Sequence, residues 1–227
     1  PKARLWGTAL KISEGKVDGQ GLPLTSVSTP GMVMDKLGNI TAAWFEGSGS
    51  RQIWASRYEP QFGTWRKLQR ISDKLPGYAG PHYEQPLLAV DDSGVVAAAW
   101  VQVDGVNQRV WSNRNENGEW IGEKLVYSSE PNTQYYLDKI QQHKNGAVTI
   151  IGRARAVSGV TTLWASTLEK ETWTTKILAT HPNSEAPIEL TFNVRSLIED
   201  GLGHMTLVFL VHGSTAVENK NWLVDFR

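Results

Sequence analysis

The residues best equipped for chemistry fall in two connecting stretches and one strand entry. These are His82-Tyr83-Glu84, Tyr135-Tyr136 and Arg109. Tyrosine offers a flat apolar face with a hydroxyl at its rim and has few rotatable bonds to freeze. Such a face stacks on the C–H groups of a sugar ring. Glu84 would accept hydrogen bonds from sugar hydroxyls, and Arg109 would supply the complementary donors. Arg51 and Arg109 each stand shortly before a Trp at equivalent places. As a pair they would clamp a carboxylate, or they would serve the repeat as an ion pair between neighbouring sheets. Glu84, Asp104 and Glu185 are the carboxylates open to acid–base work.

Other chemistries lack their residues. The chain has no cysteine, which removes disulfides, thiolate nucleophiles and cysteine-bound zinc. Its five histidines are scattered, with no i, i+4 pair to hold zinc. Asp91-Asp92-Ser93-Gly94 and Glu199-Asp200-Gly201 have acidic residues of a kind that suits calcium, but acidic residues are expected in turns. Asn39-Ile40-Thr41 matches a glycosylation sequon inside an expected strand, where a glycan has no room. There is no glycine-rich nucleotide loop and no Gly-x-Ser-x-Gly elbow. No metal or cofactor is expected.

These residues are set into a repeat. Gly38-Asn39-Ile40-Thr41-Ala42-Ala43-Trp44 returns as Gly94-Val95-Val96-Ala97-Ala98-Ala99-Trp100, as Gly146 to Ile150, and as Gly203 to Phe209. A second column follows: Trp54, Trp111, Trp164 and Trp222. A third opens the next strand: Trp65, Trp120 and Trp173. Self-similarity at this period marks a stacked or radial repeat architecture. Short runs of Ile, Val, Thr and aromatics, cut by Gly and Asp/Asn, read as strands. No segment holds a helical period over three turns.

The expected fold is all-β: a single domain over 1–227, a β-propeller of four four-stranded blades. The blades run over about 30–73, 86–129, 137–180 and 193–227, the last completed by 5–13. The second strand of each blade should be apolar on both faces. In the first copy Ile40, Ala42 and Trp44 take one face, and Thr41, Ala43 and Phe45 the other. The third Trp column, Trp65, Trp120 and Trp173, is expected between blades, where large aromatics bury the most area. Leu5 to Ser13 matches Thr64 to Ser72, so the amino-terminal stretch is expected beside Asn221–Phe226 as the missing outer strand of the fourth blade. The alternative is two chains exchanging these strands to make one eight-bladed ring, so the chain is a monomer or a homodimer.

With 227 residues a sizeable core is within reach without staples. Formal net charge is zero with both signs interspersed, so net charge attracts neither nucleic acid nor membrane. No apolar run is long enough to span a bilayer. The chain opens on Pro1, which is not a translation start, and is read as mature or trimmed.

The strand order and the openings Gly63-Thr64-Trp65 and Gly118-Glu119-Trp120 resemble propellers of the sialidase and Asp-box superfamily and propeller lectins. The Asp-box pattern, Ser-x-Asp-x-Gly-x-Thr-Trp, is nowhere intact. Tyr58 to Trp65 keeps Gly63-Thr64-Trp65. Asn113 to Trp120 has Asn115 at the Asp place and Asn117 at the Gly place. Glu169 to Trp173 keeps Thr172-Trp173. Catalytic sialidases resemble one another in having six blades, an arginine triad and a Tyr/Glu pair, and no catalytic residue is carried over. The leading expectation is a non-enzymatic binding propeller, periplasmic, cell-surface or secreted, that recognises a glycan or other surface polymer. Its ligand residues would be His82, Tyr83, Glu84, Arg109, Tyr135 and Tyr136. The alternatives are a sialidase-like glycoside hydrolase or its remnant, and a protein–protein assembly module.

Overall fold

A computed structural model describes residues 12, 27–46, 52–72, 85–104, 107–181, 192–200, 204–211 and 220–226. They form four antiparallel sheets in chain order. The first contains β1 (Gly31–Met34), β2 (Ile40–Glu46), β3 (Gln52–Glu59), β4 (Thr64–Trp65) and β5 (Gln69–Arg70), with β4 and β5 both on β3. The second contains β6 (Leu87–Val90), β7 (Val96–Asp104), β8 (Asn107–Glu116), β9 (Glu119–Trp120) and β10 (Lys124–Tyr127). The third is β11 (Gln134–Gln142), β12 (Val148–Arg155), β13 (Thr161–Glu169) and β14 (Thr172–His181). The fourth is β15 (Phe192–Glu199), β16 (Met205–Val211) and β17 (Lys220–Phe226). The first strands of successive sheets neighbour one another: β1 beside β6, β6 beside β11, β11 beside β15. The arrangement is propeller-like. The outer strand expected as one piece is split in the first two sheets, and the fourth sheet shows three strands among the described residues. The expected pairing of Leu5–Ser13 lies outside the described residues, except for Ile12.

The double-sided second strands pack as their sequence requires. Ala43 and Phe45 meet Ala98 and Trp100 of the next sheet, while Ala42 and Trp44 turn the other way, towards Leu68. Ala97 and Ala99 in turn face Val148, Ile150 and Trp164 of the third sheet. Ile151, Leu163 and Ala165 face Phe192, Leu207 and Phe209 of the fourth. Small alanines on the inner strands let sheets approach closely at the three junctions.

The Trp columns divide differently from expectation. Trp44, Trp100 and Trp164 are fully buried, whereas Trp65, Trp120 and Trp173 are only half-buried. The third column stands on the outer strands, each indole packed on a core cluster but only partly covered. The cross-strand pairs are Trp44 with Trp54, Trp100 with Trp111, Gly152 with Trp164 and Phe209 with Trp222. The third sheet therefore replaces a Trp–Trp pair by a glycine facing a tryptophan. A Cβ at Gly152 would fall on the Trp164 ring and within 2.5 Å of the Tyr136 carbonyl oxygen. The missing side chain makes the space in which Trp164 lies.

In the first, second and fourth sheets the turn between first and second strands is built on an acidic residue, while the third has His143 at that place. Asp35 Oδ1 accepts hydrogen bonds from the Leu37 and Asn39 backbone N–H groups, both at 2.9 Å. Asp91 Oδ1 accepts from Ser93 N at 2.9 Å and Val95 N at 3.0 Å, and Asp200 Oδ1 from His204 N at 2.9 Å. The acidic turns are thus structural. Asn39 is buried and donates its Nδ2 to Asp35 Oδ2 at 2.8 Å, which leaves the sequon inside the turn. The same end of the sheets is laced across its junctions by Lys36–Asp92, Gln142–Asp91 and His143–Glu199.

Candidate functional site

The opposite end, where β2, β7 and β12 finish and β11 starts, is where the candidate ligand residues were expected. His82, Tyr83 and Glu84 lie outside the described residues, as do Arg51 and Glu185. Arg109 stands on β8 opposite Gln102, half-buried. Tyr135 and Tyr136 open β11, opposite Ala154 and Arg153.

Both tyrosines are buried, at 3% and 2% exposure. Tyr135 packs into the junction of the second and third sheets, edge-on to Tyr127. Its hydroxyl accepts from the Ser129 N–H and lies 2.7 Å from Ser129 Oγ. Its backbone N–H donates to Gln108 Oε1 at 2.8 Å. Tyr135 therefore ties the entering connection to the core and presents no open face to solvent. The sequence placed the pair in a connecting stretch, whereas β11 already begins at Gln134.

Tyr136 belongs to a charged group with Arg153 and Asp138, of which the sequence left Asp138 unmarked. The Arg153 guanidinium lies 5.6 Å from the Tyr136 ring centroid. Arg153 donates from Nε to Asp138 Oδ2 at 2.9 Å and from Nη2 to Asp138 Oδ1 at 2.8 Å. Both side chains are largely buried, at 10% and 12% exposure. This two-point geometry is the strong form of a carboxylate–guanidinium contact. Asp138 reaches it because β11 carries a bulge between Leu137 and Lys139, which adds one residue against β12. Bulges of this kind re-aim a side chain, often beside a site. The fourth sheet has its bulge between Val194 and Ser196, at the matching place, with Arg195 as the extra residue. The first two sheets have Pro30 and Pro86 just ahead of their inner strands. Burial pushes the Asp138 carboxyl above its ordinary range, and the nearby Arg153 and Lys139 charges only partly offset it.

A second buried carboxylate lies at the same end. Glu46, 1% exposed, accepts from Trp44 Nε1 at 2.9 Å through Oε2, while its Oε1 has no partner among the described residues. Gln102 receives the corresponding Trp100 Nε1 at 3.4 Å. The Trp-x-Glu/Gln contact thus belongs to the repeat, and the unpartnered oxygen is particular to the first sheet. Among the described residues no group of three or more His, Cys, Asp or Glu could hold a metal ion. An open cleft of about 540 Å³ lies at the far, turn end, lined by Arg114, Asn145, Glu169 and Glu171. Two of its charged lining residues pair with each other, Arg114 with Glu171, and Arg114 also meets Glu116 and Glu171 also meets Lys124.

No family model and no curated protein matches the chain. Solved structures do. The Hadza microbial sialidase Hz136 is similar over 90% of this chain and 45% of its own, with a TM-score of 0.55 at 12% identity. A protein of unknown function from Dyadobacter fermentans covers 83% of this chain and 63% of its own, with a TM-score of 0.49 at 14% identity. The polysaccharide lyase Uly1 covers 91% and 59%, with a TM-score of 0.46 at 11% identity. The chain thus spans about half to two thirds of the length of these structures. The likeness overturns the expectation of a non-enzyme: the fold recurs in a sialidase, so a propeller of this shape gives no ground for a purely binding role. Such identities show fold and nothing finer. The chain is an all-β protein of propeller-like arrangement, similar in fold to the sialidase Hz136.

Proposed function

We propose that the chain acts on glycosidic bonds, with Asp138 as one of the two carboxyl groups that such a reaction uses. The observation that carries the reading is the placement of Asp138. It is a largely buried carboxyl on an innermost strand, aimed by a bulge and held at two points by Arg153. Glycoside hydrolysis needs one carboxyl that keeps its proton for the leaving oxygen and a second about 5–9.5 Å away. Burial biases Asp138 towards the first property by favouring the neutral form, against the Arg153 and Lys139 charges, which favour the ionised one. Once the proton has gone, Arg153 faces the new carboxylate and stabilises it. Tyr136 covers the guanidinium and keeps the pair out of bulk water. The candidates for the second carboxyl are Glu46, which lies at the same end, and the carboxylates Glu84, Asp104 and Glu185 that the sequence offers. The ligand role expected of His82, Tyr83, Glu84 and Arg109 belongs to this reading as substrate contacts.

The test is a panel of aryl glycosides, including a sialoside, a hexoside and a uronide, with good and poor leaving groups. We expect one class to be turned over. Asp138→Asn should lower the rate on the poor leaving group by about 10²–10⁴-fold, the usual range for a lost general acid. It should spare the good leaving group, which needs no proton. Equal loss on both leaving groups removes Asp138 from the acid role. Absence of turnover by the folded chain on every class overturns the reading.

A further inference from the structure

The three sheet junctions share one pattern, and the fourth sheet presents that pattern uncovered. Each second–third strand pair directs one cross-strand couple towards the following sheet. In the first three sheets the couples are Ala43–Ala55, Ala99–Ser112 and Ile151–Ala165. All six residues are buried, the third-strand members at 1%, 5% and 2% exposure. The fourth couple is Val208–Leu223, and Leu223 is 60% exposed. Ile198, on the same face of β15, is 59% exposed. Leu223 thus stands exposed where the earlier sheets carry the small, covered Ala55, Ser112 and Ala165. No following sheet covers them among the described residues.

The complementary half of the junction lies at the other end of the chain. Ile71 closes the first sheet's outer edge beside Ile53, its N–H donating to Ile53 O at 2.9 Å, and packs on Ala98 and Trp100 of the next sheet. Val126 does the same for the third sheet and Leu178 for the fourth. Ile12 matches Ile71 in the repeat, and it packs on Ala42, Trp44 and Leu68 of the first sheet. It therefore occupies the place of an outer-strand residue from a sheet preceding the first. The sheet of this chain that shows no outer strand among the described residues is the fourth.

We propose that the exposed face of the fourth sheet docks a second copy of this chain through that copy's first sheet. Two such contacts are symmetric and close a pair of chains into one ring, with no open end for further growth. The three internal junctions supply the template for the contact.

The register of Ile71 beside Ile53 transfers to Ile12 beside Asn221 of the partner. Because the chain has no native cysteine, this contact can be read with single cysteines. Ile12→Cys and Asn221→Cys chains are mixed and treated with a short bis-maleimide. Light scattering after gel filtration gives the mass of the untreated wild type. We expect a dimer, a cross-linked heterodimer from the mixture, and a monomer from Leu223→Asp. Val157→Asp, a change at an exposed apolar residue elsewhere, should remain dimeric. A wild type that stays monomeric at about 100 µM overturns the proposal. So does a double variant, Ile12→Cys with Asn221→Cys, that cross-links only within one chain, because the sheet would then close on its own amino terminus. A Leu223→Asp chain that fails to fold leaves the wild-type mass and the heterodimer cross-link to decide.

Discussion

At the scale of single residues, the third sheet is the most informative because it breaks its own repeat. The first two sheets pair Trp with Trp across the second and third strands, and the third pairs Gly152 with Trp164. Trp164 is 0% exposed and packs against Tyr127, their ring centroids 5.1 Å apart. Glycine here is a matter of space. Gly152→Ala should destabilise by about 1–3 kcal/mol, the range for overpacking a close core. Trp164→Ala should cost about 3–5 kcal/mol. The two are coupled. In the Trp164→Ala background the alanine at 152 should cost less, though the Tyr136 carbonyl still stands against it. Urea unfolding of the four chains of this cycle measures the coupling, and simple additivity would contradict the steric account.

At the scale of elements, the strand-joining turns carry more of the fold than their sequence suggests. Asp35 receives two backbone N–H groups, the Asn39 amide and, at 2.6 Å, Arg57. Burial alone would raise its carboxyl. The Asn39 side chain, the Asn39 and Leu37 N–H groups and the Arg57 charge overcome that and hold it below the ordinary 3.8. A carboxyl depressed in the folded state adds stability above its unfolded value and loses it as pH falls through the folded one. Asp35→Asn should therefore be less stable than wild type from neutral pH down to about pH 5, by roughly 1–3 kcal/mol for donors left unpaired in a buried site. The gap should narrow as acid is added below 3.8. Thermal melts from pH 7 to 2.5 test this, and a gap independent of pH would show that the charge is not what matters. Asp138 has the opposite sign: its carboxyl is raised, so its contribution declines as pH rises through the folded value.

The same scale separates what the sequence told from what it withheld. Repeated glycine-to-Trp strands placed four sheets in order, and Ala42, Ala43, Trp44 and Phe45 showed both covered faces of β2. Depth within a sheet was not legible. Trp65, Trp120 and Trp173 recur as faithfully as Trp44 and Trp100, and periodicity alone does not distinguish rim from centre. Tyr135-Tyr136 read as an accessible aromatic pair because nothing local reveals that β11 begins there. Asp138 was invisible for a related reason. Its role depends on a bulge, and a bulge is a register event between two strands.

At the scale of the whole molecule, stability should be graded along the chain. The second and third sheets are covered on both faces by neighbouring sheets. The fourth is covered on one, and β17 has no outer partner among the described residues. Few covered contacts and an open edge mean cheap local opening. Amide exchange should then be slowest in β7 and β12 and fastest in β17, with β16 between. The gradient also depends on association. If a second copy covers Val208 and Leu223, raising the concentration should slow exchange in β16 and β17 and leave β7 and β12 unchanged, since binding stabilises only what it buries. Exchange read by mass spectrometry at about 1 µM and 100 µM separates the two effects. Uniform protection at both concentrations would show the fourth sheet to be as closed as the others, and a gradient blind to concentration would leave its exposed face without an occupant.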